Sequence, residues 1–263
     1  MAELVWLNGA LLPAMEAAIS ITDRGFTLGD GLFETLRLQA GTPQDISAHF
    51  TRLAAGAALL RLPLPFDAAG MAAMLAQTAA ANGLADGGLR LTLTRGPGPR
   101  GLLPPEPPTP TVLITAFPVA EPRPLTAIIA HTIARDATSP LCRVKTLNYL
   151  PNILARLEAR ERGAEEAIML NRAGMVAGAS IGNLLVRIGG LWLTPPIADG
   201  ALPGIRRAKL LAAGLVREAP IDQDTLQKAS ALCISNVLAL RPITALEGAA
   251  LPVMGLDEGY VSG

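Results

Sequence analysis

Lys145 is the residue whose type and surroundings most directly suggest chemistry in this sequence. It is one of only three lysines, and the other two, Lys209 and Lys228, lie in amphipathic helical patterns. Lys145 instead follows a turn at Pro140 and opens a segment whose apolar side chains would draw the backbone into a core. A lysine that loses hydration has a lowered pKa and becomes a nucleophile able to form a Schiff base. Taken alone, the segment favours the simpler interpretation, an aliphatic stem on apolar surface with its ammonium group in water.

Two other stretches have the residue types of an anion-binding site. Pro203 and Gly204 directly precede a predicted helix, whose first backbone amides would point outward as they do at phosphate sites. Ser235 and Asn236 end a predicted strand with polar side chains that could contact a phosphate oxygen. Each stretch alone also fits an ordinary helix start or strand end. Together with Lys145, they indicate a phosphorylated aldehyde cofactor.

The composition argues against several classes of partner. The chain has 263 residues, half of them hydrophobic, and 22 acidic residues balance 22 basic ones, so we expect no nucleic acid and no membrane as partner. The cysteines, Cys142 and Cys233, are too few for a disulfide framework and lack the spacing of metal ligands. We therefore expect no metal site and a cytoplasmic location. Residues 1–8 do not have the pattern of a signal peptide.

Two weaker motif matches are rejected. The glycines in residues 96–101 have the spacing of a dinucleotide-binding loop, but the prolines in residues 104–108 leave no helix that could receive a pyrophosphate. Residues 178–182 have the Gly-x-Ser-x-Gly spacing of α/β-hydrolases. That fold needs its histidine after the serine, and both histidines, His49 and His131, come before it.

The hydrophobic pattern predicts two α+β domains. In the first, residues 1–118, we expect strands near Leu4–Leu7, Gly31–Gln39, residues 89–94 and Thr111–Phe117, and helices that begin near Asp45 or Ser47 and at Asp67. Residues 119–124 form the predicted linker, in a proline-rich stretch. In the second, residues 125–263, we expect strands near residues 127–131, Glu166–Leu170, 175–176, 184–188 and 232–235, and helices over residues 151–162 and 204–216. Lys145 falls in this second predicted domain.

The same residues occur together in one known family. Over nearly its whole length, the chain resembles the class IV aminotransferases, the pyridoxal phosphate (PLP) enzymes of fold type IV. The resemblance is carried by residues 23–34, His49, Arg52, and residues 145–148, 182–184 and 202–205. The family includes branched-chain aminotransferases, D-amino acid aminotransferases and aminodeoxychorismate lyase. The resemblance implies a two-domain fold like that of D-amino acid aminotransferases, PLP as cofactor, and an active site between the domains and at a homodimer interface.

The resemblance also implies roles in cofactor binding. Lys145 would hold the cofactor as a Schiff base and later move the proton between the substrate α-carbon and the cofactor. Arg52 would bind the cofactor phosphate in a bidentate manner. The groups that assist Arg52 would be the backbone amides of Ile205 and Arg206 and the side chain of Asn236. Many relatives have threonine where this chain has Arg206, so one hydroxyl contact would be missing. Tyr149 matches the residue that, in branched-chain aminotransferases, donates to the phenolic oxygen of the cofactor.

Further positions correspond to the family's substrate contacts. Arg90 falls where several members place a cation for the substrate carboxylate, and Arg100 could serve the same end from the glycine-rich loop. Phe26, Leu28 and Phe33 would line the pocket for the substrate side chain. The loop would reach toward the partner's pocket in the expected homodimer. The expected small-molecule partners are an amino acid and a 2-oxo acid.

One departure from the family concerns residue 178. The family usually places a glutamate five residues before Asn183, where its carboxylate keeps the pyridine nitrogen of PLP protonated, and this chain has Gly178 there. A protonated ring is the better electron sink, and each unit of lost pyridinium pKa costs about 1.4 kcal/mol. We therefore expect either a substitute partner for the nitrogen or a slow enzyme. We also predict that Gly178→Glu raises the rate, provided the added side chain fits.

The choice of family member depends on short segments. The loop of residues 95–101 is similar to that of the lyase, but the lyase usually has arginine after Asn148, where this chain has Tyr149. The D-amino acid enzymes have a histidine where this chain has Leu102. These differences favour a transaminase that acts on an apolar, branched-chain-like amino acid. Two alternatives remain open: a 4-amino-4-deoxychorismate lyase that releases pyruvate to give 4-aminobenzoate, and a catalytically weakened PLP-binding homologue.

Overall fold

A computed structural model of the chain describes residues 3–254 and residue 256. The chain divides into two compact units. The first unit comprises the chain up to Ala120 together with Val144–Asn148, and the second comprises Glu121–Arg143 and the chain from Tyr149 onward. The Lys145 segment thus belongs to the first unit, whereas the sequence pattern had assigned it to the second.

The first unit is a six-stranded antiparallel sheet with helices. Its strands are β1 (Leu4–Leu7), β2 (Ala10–Pro13), β3 (Gly31–Gln39), β4 (Thr42–Pro43), β5 (Gly87–Thr94) and β6 (Thr111–Phe117), in the order β2-β1-β6-β5-β3-β4. Its helices are α1 (Arg24–Leu28), α2 (Ile46–Leu60) and α3 (Ala68–Ala81). Because side chains alternate along a strand, the apolar face of β3 and β5 packs with α2 and α3 to form the core, and the other face carries Phe33 and Arg90.

The two long helices of this unit begin differently. The Asp67 carboxylate accepts a hydrogen bond from the Gly70 amide at the start of α3, which confirms the predicted cap. At α2 the residue before the helix is Asp45, which makes no capping bond with its side chain. The backbone of Asp45 has a φ of 55°, in the left-handed region, so it does not have the extended conformation in which an N-cap side chain meets the helix amides. The predicted Asp45 or Ser47 cap was therefore wrong in its side-chain contact, although the helix itself forms.

The Lys145 segment joins the first unit through the edge of β3. The short strand β4 pairs with only Leu38 and Gln39, at the far end of β3. At the near end, the Phe33 amide donates to the Lys145 carbonyl at 2.9 Å, and the Leu147 amide donates to the Gly31 carbonyl at 3.0 Å. These bonds satisfy a strand edge that would otherwise be open, and they place Lys145 beside Phe33.

The second unit contains a nine-stranded mixed sheet. Its strands are β7 (Leu125–Ile129), β8 (Glu166–Leu170), β9 (Val176–Ala179), β10 (Asn183–Ile188), β11 (Leu191–Thr194), β12 (Arg217–Glu218), β13 (Ala231–Ser235), β14 (Leu240–Leu246) and β15 (Ala249–Ala250). The order is β12-β11-β10-β13-β14-β7-β8-β9, with β15 paired to β14. Its helices are α4 (Leu150–Glu161), α5 (Ile205–Ala212) and α6 (Gln223–Gln227). Helix α5 ends at Ala212, before the end at residue 216 that the sequence predicted.

The described residues contain neither a membrane-spanning helix nor a cluster of metal ligands. Within residues 3–254 and 256, no helix is both long enough and apolar enough to cross a membrane. Over the same residues, no group of three or more His, Cys, Asp and Glu side chains is arranged to hold a metal ion.

Candidate active site

Lys145 lies in a cluster with an aromatic ring and a guanidinium group. Its Nζ is 4.1 Å from the centroid of the Phe33 ring, and the Arg90 guanidinium carbon is 3.8 Å from the same centroid. Phe33 is buried, whereas Lys145 and Arg90 are half-buried. The face of an aromatic ring attracts cations, and here it is close to two. A molecule that has both a negative group and an apolar group could therefore bind at this part of the sheet. The structure thus brings together three of the predicted site residues.

Arg52 is held by an acidic residue that we did not select from the sequence. Its Nε donates to Glu34 Oε1 at 2.8 Å, and its Nη2 donates to Glu34 Oε2 at 2.5 Å. His49 Nδ1 lies 2.6 Å from Glu34 Oε2. Glu34 and His49 are both 1% exposed, whereas the Arg52 side chain is 10% exposed. A bidentate pair fixes the plane of a guanidinium group, so Glu34 holds Arg52 in one orientation.

The Glu34 carboxylate is ionised despite its burial. Burial raises the pKa of this carboxyl group, but the hydrogen bonds from Arg52 and His49 outweigh that effect and lower the pKa below its ordinary value. A buried charge is tolerated when it is paired and hydrogen-bonded in this way. The sequence contained a signal for this role, because Glu34 shares a strand face with Leu32, Leu36 and Leu38. A carboxylate among core residues needs a buried partner.

In the second unit, two glycines bring three backbone segments together. A Cβ at Gly204 would overlap the side-chain oxygen of Asn183, whose Nδ2 donates to the Leu202 carbonyl at 2.8 Å. A Cβ at Gly182 would lie 2.6 Å from the Ser235 carbonyl oxygen. Only glycine permits these approaches, so the start of α5, the start of β10 and the end of β13 meet at one place.

This place has the features of an anion site. The hydroxyl group of Ser235 is buried and has no hydrogen-bond partner among the described residues. Helix α5 begins after Gly204 without any side-chain cap, and the first amides of a helix have no acceptor within the helix itself. A buried hydroxyl of this kind calls for a partner, and a phosphate oxygen would supply one. The helix dipole favours negative charge at the same end.

Asn236 and Arg206 contact the backbone of neighbouring turns. The Asn236 side-chain carbonyl accepts from the amides of Leu238 and Ala239 at 3.0 Å, and its Nδ2 donates to the Ile181 carbonyl at 3.3 Å. Arg206 Nη2 donates to the Val237 carbonyl at 3.3 Å. Both side chains therefore stabilise the turn after β13.

The remaining predicted residues differ in environment. Phe26 and Leu28 are exposed on α1, unlike the buried Phe33 with which we expected them to share a pocket. Arg100 is exposed in the loop between β5 and β6. Tyr149 is half-buried and directly precedes α4, where it makes no capping bond with its side chain.

Gly178 is buried in β9 opposite Met169. Its φ is 152°, a conformation that residues with side chains rarely adopt. A Cβ at this position would lie 3.3 Å from the Gly182 carbonyl oxygen, which is closer than an ordinary van der Waals contact. The backbone here is therefore suited to glycine, and the added glutamate that we considered from the sequence would be strained.

The nearby Glu166 does not replace the missing acid. It is fully buried, and its Oε1 accepts from both the amide and the hydroxyl of Ser180. Its Oε2 accepts from Arg156 Nη1 at 2.7 Å. One carboxylate oxygen thus holds the turn between β9 and β10, and the other is bonded to Arg156 of α4.

Comparison with known proteins decides the family. A family model described as amino-transferase class IV matches residues 31–246, which is most of the chain. The chain belongs to the class IV aminotransferases. It is therefore a PLP-dependent enzyme of the transaminase class.

Individual relatives agree with this family. A D-alanine aminotransferase from Bacillus licheniformis is 32% identical over 257 residues, which cover 93% of this chain and 88% of the relative. The branched-chain aminotransferase of Thermoproteus uzoniensis, solved with norvaline, has 26% identity and a TM-score of 0.88 over 97% of this chain and 91% of that one. A candidate 4-amino-4-deoxychorismate lyase from Legionella pneumophila has 28% identity and a TM-score of 0.84 over 92% of each chain. The expected α+β architecture of fold type IV is confirmed.

The residues of this aminotransferase fit PLP at two of its chemical groups, the aldehyde and the phosphate. The amine of Lys145 suits the aldehyde, the buried hydroxyl of Ser235 lacks a partner that a phosphate would provide, and Arg52 is oriented by Glu34 for an anion. At the position where the family resemblance places the partner of the pyridine nitrogen, this chain has Gly178, which has no side chain. When bound, PLP supplies an electron sink for negative charge at the substrate α-carbon.

Proposed function

We propose that this enzyme transfers an amino group from an apolar, branched-chain-like amino acid to a 2-oxo acid. The observation that supports this most is the cluster of Lys145, Phe33 and Arg90. Transamination needs an amine that moves a proton, a cation that binds the substrate carboxylate, and a surface for the substrate side chain. The cluster contains one residue of each kind, and both cationic groups lie within 4.1 Å of the centroid of the Phe33 ring.

The proposed roles follow from these contacts. The Lys145 Nζ would carry the proton from the substrate α-carbon to the cofactor in the first half of the reaction, and in the reverse direction in the second half. Arg90, stacked on the Phe33 ring, binds the substrate carboxylate, and Phe33 packs against an apolar side chain. Arg52, oriented by Glu34, would bind an anionic group of the cofactor. The buried hydroxyl of Ser235 would donate to a phosphate oxygen. Tyr149 would donate to the phenolic oxygen of the cofactor, as the family resemblance implies.

The test is a set of visible absorption spectra of the protein loaded with PLP, recorded before and after addition of L-leucine, D-alanine or aminodeoxychorismate. We expect loss of the visible absorption of bound PLP with L-leucine, and its recovery when a 2-oxo acid is added. Lys145→Ala is the control, because it removes the amine and leaves the phosphate contacts in place. A spectrum that does not change with either amino acid would contradict the proposal.

A second candidate is a 4-amino-4-deoxychorismate lyase. It is supported by the likeness to the Legionella candidate lyase and by the glycine- and arginine-rich loop of residues 95–101. Release of pyruvate from aminodeoxychorismate, without any spectral change on addition of amino acids, would favour it. A third candidate, a PLP-binding protein with weakened catalysis, is supported by Gly178. It would bind PLP through Lys145 and show neither reaction.

We also propose that the enzyme is a homodimer. The first unit exposes large apolar side chains, among them Phe26 at 77%, Leu102 at 83% and Leu103 at 86%. A second copy of the chain would bury these side chains if they form a continuous patch, which is typical of an interface. Sedimentation velocity of the PLP-loaded protein would give the mass, and we expect twice that of one 27.3 kDa chain. A mass equal to one chain at micromolar concentration would contradict the dimer.

A further inference from the structure

The loop that carries Arg100 is attached to a buried arginine. Residues 95–110 join β5 to β6, and we refer to them as the 95–110 loop. Arg24 Nη1 donates to the Gly101 carbonyl at 3.0 Å, and Arg24 Nη2 donates to the Leu102 carbonyl at 2.7 Å. Arg24 Nη1 also lies 3.5 Å from the Leu103 carbonyl. One guanidinium group thus binds three successive carbonyls directly after Arg100.

The position of Arg24 is fixed by Asp30. Arg24 Nε donates to Asp30 Oδ2 at 2.9 Å, and Arg24 is only 4% exposed. Asp30 also accepts two bonds from Arg95, at 2.8 and 3.1 Å. Burial raises the pKa of the Asp30 carboxyl group, but the hydrogen bonds from Arg95 and Arg24 outweigh it and lower the pKa. The carboxylate is therefore ionised and orients both guanidinium groups.

Arg95 connects the same acid to α2. Its Nη1 donates to the Arg61 carbonyl at 2.9 Å, and its Nη2 donates to the Leu60 carbonyl at 2.8 Å, at the C-terminal end of that helix. Carbonyls at the end of a helix accept no hydrogen bond from the helix itself, so the Arg95 guanidinium group supplies the donors. Asp30 thus links the 95–110 loop, through Arg24, to the helix that carries Arg52.

The loop also lies close to the stem of Arg24. A Cβ at Gly98 would be 3.0 Å from Arg24 Cδ and 3.2 Å from Pro105 Cδ. Because Nε, Nη1 and Nη2 of Arg24 are all hydrogen-bonded, the aliphatic part of its side chain has little freedom to move away from Gly98. Gly98 is therefore the residue that allows the loop to lie against Arg24.

We propose that Arg24 and Asp30 are positioning residues that hold the 95–110 loop, and with it Arg100, in the conformation used for substrate binding. The segment after Arg100 is held by bonds from Arg24 to its backbone carbonyls, and the start of the loop is held by the side chain of Arg95, so Asp30 orients both attachments. The functional half of this inference rests on the proposed function and on the family resemblance, by which Arg100 would assist Arg90 at the substrate carboxylate. The attachment of the loop rests on neither.

The attachment is tested by limited trypsin digestion. Trypsin cleaves after Arg100 only when the backbone around this residue unfolds locally. We compare the PLP-loaded protein with Arg24→Met and Gly98→Ala, and use Arg160→Met on the exposed surface of α4 as the matched control. We expect cleavage at Arg100, identified by fragment mass, to be at least about tenfold faster in both loop variants and unchanged in the control. Equal cleavage rates in Arg24→Met and the parent protein would overturn the proposal.

Kinetics separate the positioning role from a purely structural one. In Arg24→Met we expect the KM for the amino acid to rise about five- to tenfold with kcat changed less than about threefold, as for loss of a substrate contact. Arg24→Lys keeps the charge but reaches fewer carbonyls, so it should lie between the parent and Arg24→Met in both measurements. It also replaces Arg24→Met if that variant does not fold.

Failure of the proposed function is distinguishable from failure of this inference. In one outcome, cleavage after Arg100 accelerates in Arg24→Met, but KM is unchanged in both Arg24→Met and Arg100→Met. The loop is then attached as inferred, but Arg100 does not bind substrate, which overturns the functional half. If Arg100→Met raises KM but Arg24→Met changes neither cleavage nor KM, the positioning role is overturned and the role of Arg100 stands.

Discussion

Replacing Glu158 with glutamine removes a charged anchor of α4. Its carboxylate accepts hydrogen bonds from the amides of His131 and Thr132 at 3.0 Å, from the Thr132 hydroxyl at 2.6 Å, and from Arg162 at 3.1 Å. Burial raises the pKa of Glu158, but these bonds outweigh it and lower the pKa to about 2. The carboxylate therefore fastens the C-terminal half of α4 to the turn after β7.

The size of the effect follows from the pKa. The ordinary value is 4.5, and each pH unit between it and the folded value corresponds to about 1.4 kcal/mol, which sets an upper bound of about 3 kcal/mol at neutral pH. The Arg162 side chain is 35% exposed, so its contribution is partly screened by water. Glutamine also keeps one oxygen acceptor. We expect Glu158→Gln to lower the free energy of unfolding by about 2 kcal/mol at pH 7.

The effect should depend on pH with a definite sign. Because the folded pKa is lower than the unfolded one, the stabilisation is complete above about pH 5.5 and is lost as the pH falls toward 2. At pH 3 the difference between the parent protein and Glu158→Gln should be less than about half its value at pH 7.

The assay uses the two tryptophans, Trp6 in the first unit and Trp192 in the second. In a Trp6→Phe background, the fluorescence of Trp192 reports urea unfolding of the unit that contains Glu158. Glu161→Gln, at an exposed position of the same helix, is the control for loss of a charge. A difference below about 0.5 kcal/mol at pH 7, or one that stays constant down to pH 3, would refute the reasoning.

Three further predictions concern the cofactor site. Glu34→Gln should weaken PLP binding about tenfold, because Arg52 loses the charged acceptor that orients it, and an unchanged Kd in a PLP titration would contradict that role. Ser235→Ala should leave the stability of the PLP-free protein the same or higher, since the hydroxyl has no partner there, but should raise the Kd for PLP about three- to tenfold; an equal Kd would remove Ser235 from the phosphate site. Gly178→Glu should cost about 1 to 3 kcal/mol in thermal unfolding because of its φ of 152°, while the fraction that folds and loads PLP should react faster; unaltered stability would show that the backbone relaxes.

Much of the fold could be read from local patterns. The alternation of apolar residues predicted β3 and β6 with the bounds that the structure has, and an aspartate in front of an alanine-rich run predicted the start of α3. Lys145 could be identified because a charged lysine is uncommon in a segment of apolar residues. The Pro203–Gly204 pair predicted the helix start at Ile205, because proline restricts the local backbone and glycine gives it freedom to turn.

What the sequence missed depended on contacts between distant residues. Glu34 lies on an apolar strand face, but only the packing of α2 on β3 shows that His49 and Arg52 are its partners. The Asp45 cap failed because the backbone before α2 turns into the left-handed region. No local pattern shows that the carbonyls after Arg100 are bound by Arg24, since the two segments are separated by three strands and two helices.

The sequence by itself determined which residue types could act on a phosphorylated aldehyde, and most of the strands and helices that carry them, because both depend on side-chain chemistry and short-range periodicity. The tertiary structure decided which residues meet. It assigned the Lys145 segment to the first unit through hydrogen bonds to Gly31 and Phe33, and it set the orientation of Arg52 through Glu34. Hydrogen bonds of this kind depend on the closure of long stretches of chain, whose geometry is fixed only when the whole core packs.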